Sequence, residues 1–389
     1  MSEKPTQVYV IPVLSAANFV IGMGAFMVIG MLNPVAEEFA IPASTAGWLM
    51  IAYALGYAVL SPLLVSATGA YGRRRVLAAG LSVFALSNLA ASVAPNHETL
   101  TVLRVFAAAG AGLITPVAAS VAAGLSASER QARVLAAVFF GFTLSQVLGV
   151  PAGGFIAYTF GWRTAFLLVF LLSLPVIALI WKLVPSGLSF QPVSLRDLGR
   201  IVSSPPHVLR LSFASVFVGA TYVVFTYISP LLSATMGFGR DEITLLLTLF
   251  GLGAVAGNIM GGHLTDRIGP FRTLVLLCVV QAAILPWYSF LPLPVPAILI
   301  LSFAWSAFGW SFNPSQQVRL IGYDPKNAPV LLALNAGGIY MGTAIGSWIG
   351  AIVIRFADIH ALGLTAGLVL ICALVILIAA ERGRPRIAT

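Results

Sequence analysis

From Thr273 to Val318 the chain carries no Asp, Glu, Lys or Arg, and the stretches Pro5–Ala36 and Phe39–Gly72 are equally bare. Runs of this length leave few folds open. A helix crossing a bilayer needs about 20 apolar residues, and its backbone N–H and C=O groups must be bonded within the segment. Thr273–Val318 is too long for one crossing, and Pro292-Leu293-Pro294-Val295-Pro296 divides it into two. Only 8% of the 389 residues are charged, where a soluble domain carries about 25%. The first run also exceeds the apolar core of a signal peptide, about 7–15 residues, and reads as a retained first helix.

Charge-free runs predict helices over roughly residues 9–33, 45–68, 74–94, 98–124, 129–158, 162–184, 208–233 and 241–264. Two more flank the proline cluster, and the last two cover roughly 326–354 and 360–380, twelve in all. Glu37, Glu38 and Pro42 mark the first turn, with Ser44 or Thr45 as N-cap. Ser128-x-x-Gln131 reads as a capping box, and Asp324-Pro325 as an N-cap followed by proline at the first helical position. Residues 185–207 differ: four prolines punctuate them, and Leu195, Leu198, Ile201 and Val202 recur at helical spacing. They read as a linker with a short helix lying on the membrane surface, or as a loop without structure.

The net charge of +9 would suggest nucleic acid in a soluble protein. Here the cations sit in short clusters between apolar runs. With the N-terminus inside, seventeen of the 21 Lys and Arg fall on the cytoplasmic side, Arg73–Arg75, Arg210 and Arg319 among them. Three (Arg163, Arg240 and Arg355) fall outside, and Arg104 lies within a span. The positive-inside rule therefore places both termini in the cytoplasm of a multi-pass protein of the cell membrane, with no nucleic-acid partner. The two cysteines, Cys278 and Cys372, lie in apolar runs and imply no disulfide framework.

The chain contains an internal repeat. A polar seam, Gly262-His263-Leu264-Thr265-Asp266-Arg267-Ile268-Gly269-Pro270-Phe271-Arg272, reads as a tight turn between two spans. A partial copy stands at Val65–Arg75, where Gly72 matches Gly269 while Gly69 and Ala70 replace the acid and its neighbouring arginine. A shift of 197 residues pairs Gly22 with Gly219, Gly56 with Gly253, Gly72 with Gly269, Gly112 with Gly309, Gly141 with Gly338, Gly149 with Gly346 and Gly153 with Gly350. The same shift lays the first six helices on the last six. This predicts an all-α membrane protein of two pseudo-symmetric six-helix bundles, residues 1–184 and 208–389, joined by 185–207. Such halves rock about a central site in transporters.

Twelve spans, the duplicated seam and the helix-5 pattern resemble the major facilitator superfamily over essentially the whole chain. Gly141, then Gly149-Val150-Pro151-Ala152-Gly153-Gly154, is similar to the glycine-proline signature of its drug–proton antiporters, with the proline one place later. Arg104 matches the family's helix-4 arginine. Tyr53-Ala54-Leu55-Gly56 and Gly161-Trp162-Arg163 resemble the arabinose-efflux-permease-like branch. The resemblance implies a monomeric secondary transporter with a proton as candidate coupling ion and no bound cofactor. Related proteins often carry an acid in helix 1, where this chain has Met23-Gly24-Ala25-Phe26.

The candidate residues follow from physical chemistry beside the resemblance. In the seam, Gly262, Asp266, Arg267, Gly269 and Arg272 are candidate gating residues, with Gly72 and Arg73 of the first copy. Asp266 can accept bonds from backbone N–H groups or from Arg267; the alternative is that it only fixes loop shape. Gly141, Gly149 and Gly153 fall at i, i+8 and i+12 and give helix 5 a smooth face with Gly154, while Pro151 frees a carbonyl. That is either a sliding surface or ordinary small-residue contact.

Arg104 inside a span marks a site or snorkels to the boundary. Neutral and aromatic groups complete a cavity for an amphipathic, mostly uncharged ligand: Asn18, Phe26, Tyr53, Tyr57, Thr143, Gln146, Tyr222, Phe225, Thr226, Trp305, Trp310, Asn313, Asn335 and Tyr340. Met23, Met27 and Met31 form a thioether stripe that no His or Cys joins, so packing outweighs metal transport. These features point to an exporter, with an uptake or facilitated-diffusion carrier and a ligand-binding membrane sensor as alternatives. No nucleophile–base set or zinc pair suggests an enzyme.

Overall fold

The structure is a computed structural model that describes residues 5–126, 131–188 and 195–382. The predicted capping box at Ser128, and Lys4, Arg130, Arg384 and Arg386, lie outside the described residues. Among the described residues, twelve long helical segments carry the chain. They are α1 (Pro5–Glu38), α2 (Trp48–Ala67), α3 (Arg73–Ala91) and α4 (His97–Gly124). Next come α5 (Gln131–Leu144, a wide π-turn at Ser145–Gly149, then Val150–Phe160), α6 (Trp162–Leu183) and α7 (Pro205–Phe225, then Ile228–Met236). Then follow α8 (Arg240–Ile268), α9 (Pro270–Ile284 with a 3-10 turn at Leu285–Ser289) and α10 (Val295–Trp310 and Phe312–Tyr323). The last two are α11 (Ala328–Phe356) and α12 (Ala361–Arg382). Among the described residues, eleven segments are long and apolar enough to cross a membrane. The twelfth is α3, whose 19 residues open on Arg73, Arg74 and Arg75.

The interruptions have a common cause. Pro151, Pro230, Pro286 and Pro314 each lie just beyond or inside a break, at the π-turn of α5, the gap in α7, the 3-10 turn of α9 and the joint of α10. Proline brings no N–H and crowds the carbonyl four residues back, so the helix widens, tightens or bends there.

Contacts divide the chain into two units, Met1–Pro192 with Phe238–Thr248, and Val193–Gly237 with Leu249–Thr389. In the first, α1 lies against α5 and α6, α4 against α2 and α3, and α3 against α6. In the second, α7 lies against α11 and α12, and α9 against α10 and α12. The sequence repeat thus reappears as repeated helix pairing.

Glycines make the contacts of α1 with α5 and of α7 with α11. A Cβ on Gly141 would run into the Ser15 carbonyl, and one on Gly149 would stand 2.9 Å from Met23 Cβ. Gly153 meets Met27 in the same way, and Gly154 faces Gly30. The thioether stripe is therefore the counter-surface of the helix-5 glycines. In the second unit Gly342 meets the Ser215 carbonyl and Gly346 the Gly219 carbonyl. Gly22 abuts Ser145, and 197 residues on Gly219 abuts Gly342.

The seam differs from its sequence reading. Residues 262–268 are the last turns of α8, and the chain reverses at Gly269 alone, whose φ of +82° suits glycine. Close approach belongs to Gly261, where a Cβ would stand 2.5 Å from the Ser311 carbonyl oxygen, whereas Gly262 has nothing within 4 Å. In the first copy α2 stops at Ala67 and Gly69–Ala70 form a true turn. Other helix ends also shift. α1 runs through Glu37 and Glu38, and Ser44 and Thr45 sit inside the short helix Ala43–Ala46, which has no side-chain cap. Asp324 does cap, accepting from Asn327 N at 3.3 Å. The linker helix is present over Leu195–Val202, and its Ile201 is buried with Leu211, Leu320 and Leu331.

Two substitutions separate contact from propensity. Gly141→Ala is expected to cost about 1–3 kcal/mol, because the methyl must displace the backbone of α1. Gly262→Ala meets no atom and should be neutral or slightly stabilising, since alanine favours helix by up to about 1 kcal/mol. Thermal melting of the purified variants in detergent checks this; equal midpoints would refute it.

Candidate functional site

Arg104 is the best-defined polar centre of the first unit. It is 1% exposed, so it does not snorkel to a boundary. Its guanidinium donates to the carbonyl oxygens of Gly24 (2.7 Å) and Ala25 (2.7 Å) on α1 and of Leu49 (3.3 Å) on α2. It also stands 4.3 Å from the ring centroid of Tyr53. A carbonyl oxygen has two lone pairs, so those in helices can take a second donor. Gly24 and Ala25 occupy the stretch of helix 1 where related proteins often carry an acid and this chain has none. Backbone dipoles and an aromatic face hold the cation there instead.

The surrounding candidates separate into engaged and unengaged groups. Asn18 is engaged: its Nδ2 donates to the carbonyls of Leu14 (3.1 Å) and Val138 (3.4 Å), and its Oδ1 accepts from Thr115 (2.9 Å). Tyr57 meets Thr115 and Ser61. Phe26 is buried edge-on against Phe142. Tyr53 Oη and Gln146 Nε2 are buried with no hydrogen-bond partner among the described residues. Gln146 lies in the π-turn of α5, and Thr143, just before it, is half-buried.

In the second unit the structure gathers Tyr222, Phe225 and Trp305 and adds two residues missed in the sequence, Phe250 and Tyr288. Phe225 stacks on Phe250 with centroids 4.2 Å apart, and Trp305 meets Phe250 edge-on at 5.1 Å and Tyr288 at 5.0 Å. Trp305 Nε1 is buried without a partner among the described residues. The carbonyl of Trp305 accepts from Gln281 Nε2 at 2.9 Å, and Gln281 is itself fully buried. Thr226 is taken up by Ser347, its Oγ1 2.7 Å from the Ser347 hydroxyl. Asn335 lies elsewhere, tied to Gln316, whose Nε2 also reaches the Arg210 carbonyl. Tyr340 is buried, and Trp310 and Asn313 are half-buried. No sequence signal marked Phe250 or Tyr288, because an aromatic residue in an apolar run looks the same facing lipid or core.

The candidate gating residues do not form the expected pair. Asp266, Arg267 and Arg272 carry no ion pair among the described residues, and Asp266 and Arg267 are exposed at the end of α8. Gly72 precedes α3 with an ordinary φ of −59°. Arg73, the candidate gating arginine of the first copy, is 2% exposed, and its backbone N–H donates to the Leu188 carbonyl. Arg210 and Arg319, counted among the cytoplasmic cations, are buried.

Tyr53→Phe removes a hydroxyl that has no bond among the described residues, so melting should stay within about 0.5 kcal/mol of the parent while ligand affinity falls. A loss of stability with unchanged binding would show the hydroxyl to be structural. Asp266→Asn changes an exposed, unpaired carboxylate and should leave melting unchanged while slowing transport. Unchanged transport, with unchanged cysteine accessibility on both faces, would remove Asp266 from the gate.

The family model of the Major Facilitator Superfamily matches residues 14–321 and 211–388. The uncharacterized MFS-type transporter YtbD of Bacillus subtilis is 30% identical over 347 residues, 87% of each chain. A chloramphenicol resistance protein of Streptomyces lividans is 29% identical over 348 residues, again 87% of each. Among solved structures, a bacterial homolog of the human lysosomal transporter Spinster superposes with a TM-score of 0.78 at 16% identity, covering 98% of both chains, a likeness of fold alone. The chain is a multi-pass membrane transporter, not an enzyme, and it belongs to the Major Facilitator Superfamily.

Proposed function

We propose that this transporter exports a small amphipathic compound, a drug or a sugar-like metabolite, with a proton as coupling ion. In this reading the two bundles, residues 1–184 and 208–389 joined by 185–207, alternate access to the substrate. The protein works as a monomer in the cell membrane with both termini in the cytoplasm. The observation that carries the reading is that each unit holds buried polar atoms without a partner among the described residues, Tyr53 Oη and Gln146 Nε2 in the first and Trp305 Nε1 in the second. A buried donor without a partner costs about 1–3 kcal/mol, which a ligand or a water recovers. Such sparse polar points on aromatic walls suit a ligand with a few polar groups on an apolar body. The relative named for chloramphenicol resistance supports a drug as substrate and supplies a first probe.

A second reading, uptake or facilitated diffusion, has its own support. Every described carboxylate stands at a helix end or between helices: Glu37, Glu38, Glu98, Asp197, Asp241, Glu242, Asp266, Asp324, Asp358 and Glu381. Proton coupling ordinarily uses a titratable group within the spans.

Proteoliposomes loaded with labelled chloramphenicol distinguish these readings. Under the proposal, counterflow occurs, and an imposed pH gradient drives accumulation against the chloramphenicol gradient. Counterflow that ignores the pH gradient would transfer the case to facilitated diffusion. Absence of counterflow with chloramphenicol and with other amphipathic probes that stabilise the protein would sink transport of this class.

A further inference from the structure

At the end of the second unit where α7 begins and α10 and α12 finish, a pocket of about 160 Å³ is lined by Arg210, Arg319, Tyr323 and Glu381, with Phe271 and Val318 among its apolar walls. Arg210 is 2% exposed and Arg319 6% exposed. Arg210 Nη1 donates to the Pro206 carbonyl at 2.9 Å, and its guanidinium lies 3.6 Å from the centroid of the Tyr323 ring. Its Nη2 is buried and has no hydrogen-bond partner among the described residues. Arg319 is paired with Glu381, Nε to Oε2 at 3.6 Å, and donates to Gln316 Oε1 at 3.4 Å. Two guanidinium groups therefore line the pocket against one carboxylate.

The nearby acid does not make up the difference. Asp324 accepts from Asn327 Nδ2 at 2.7 Å and stands 3.2 Å from His207 Nε2. The Asn327 amide, with His207 behind it, holds that carboxyl below the usual aspartate value. Its charge is committed to the joint between α7 and the α10–α11 turn. A buried guanidinium that has an idle N–H and no counter-ion among the described residues is costly, and an oxyanion satisfies both needs at once. Planar guanidinium groups favour phosphate and carboxylate over a spherical ion. The pocket is also open at Gly322, where an added Cβ would meet nothing within 4 Å, and Val318 on its wall is exposed.

We propose that Arg210, with Arg319 and Tyr323, forms a binding site for a phosphate-type oxyanion, either the headgroup of an anionic phospholipid or free phosphate. The site is separate from the aromatic cluster around Trp305 and does not rest on the export reading. Arg210 is the primary ligand because its Nη2 is idle, and Glu381 competes with the anion for Arg319.

The full chain in detergent tests this by thermal melting in two titrations. One uses inorganic phosphate against chloride at matched ionic strength; the other uses phosphatidylglycerol against phosphatidylcholine in mixed micelles. The parent should show a saturable rise in midpoint. Phosphate alone sufficing identifies a free anion, and a response only to phosphatidylglycerol identifies a headgroup with its chains. Arg210→Gln should weaken half-saturation about tenfold or more, as expected for loss of a charged hydrogen bond. Glu381→Gln removes the competitor and should tighten it. A midpoint that ignores both probes, or an Arg210→Gln response equal to the parent's, overturns the site. If Arg210→Gln does not fold, unchanged half-saturation in Glu381→Gln overturns it instead.

Discussion

Helices in a bilayer gain little by hiding apolar side chains from one another, because lipid is as apolar as leucine. What remains is close backbone approach, and this protein obtains it with glycine. Gly141, Gly149 and Gly153 seat α5 on α1, and Gly342 and Gly346 seat α11 on α7. Hydroxyls reinforce the approach where carbonyls come near: Ser61 donates to the Gly112 carbonyl at 2.6 Å, and Ser311 to the Gly257 carbonyl at 2.8 Å. Each such bond contributes on the order of 0.6 kcal/mol in a membrane protein, so shape rather than bonding dominates.

Charge is distributed by the same logic. Carboxylates keep to the helix ends, where water or a partner cation is near. Glu38, for example, accepts from Trp162 Nε1 at 2.6 Å and pairs with Arg163. Arg104 is the exception, and it is stabilised without a carboxylate by three carbonyls and the Tyr53 ring. Its environment therefore offers no acid to titrate beside it, which is why the coupling ion has to be tested separately from the fold.

Much of the fold was legible because lipid imposes a one-dimensional rule. Charge-free length located the helices, and the 197-residue glycine register located the duplication. The errors cluster where a polar residue has two local uses. Asp266 and Arg267 looked like turn residues, yet they extend α8 by another turn, because Gly269 alone suffices to reverse the chain. The burial of Arg73, Arg210 and Arg319 was not legible, since an arginine at a helix end reads alike whether it points outward or into a bundle. Of the proposed ligand contacts, Asn18 and Thr226 are bonded within their own unit, whereas Tyr53, Gln146 and Trp305 keep idle polar atoms. That distinction depends on neighbours 50 or more residues away and has no sequence signature.

The wide turn of α5 has a geometric effect that residue counting alone misses. At about 100° per residue, Gly141 and Gly153 would stand about 120° apart on an unbroken helix. A wide turn absorbs one extra residue, which takes back about 100° and leaves the two glycines about 20° apart. Both can then face α1, as they do. In the second half α11 runs unbroken from Ala328 to Phe356 and spaces Gly338, Gly342, Gly346 and Gly350 along the inclined i, i+4 row. The two halves thus solve the same contact with different angular phases, one corrected by an inserted residue and the other by a slanted ridge.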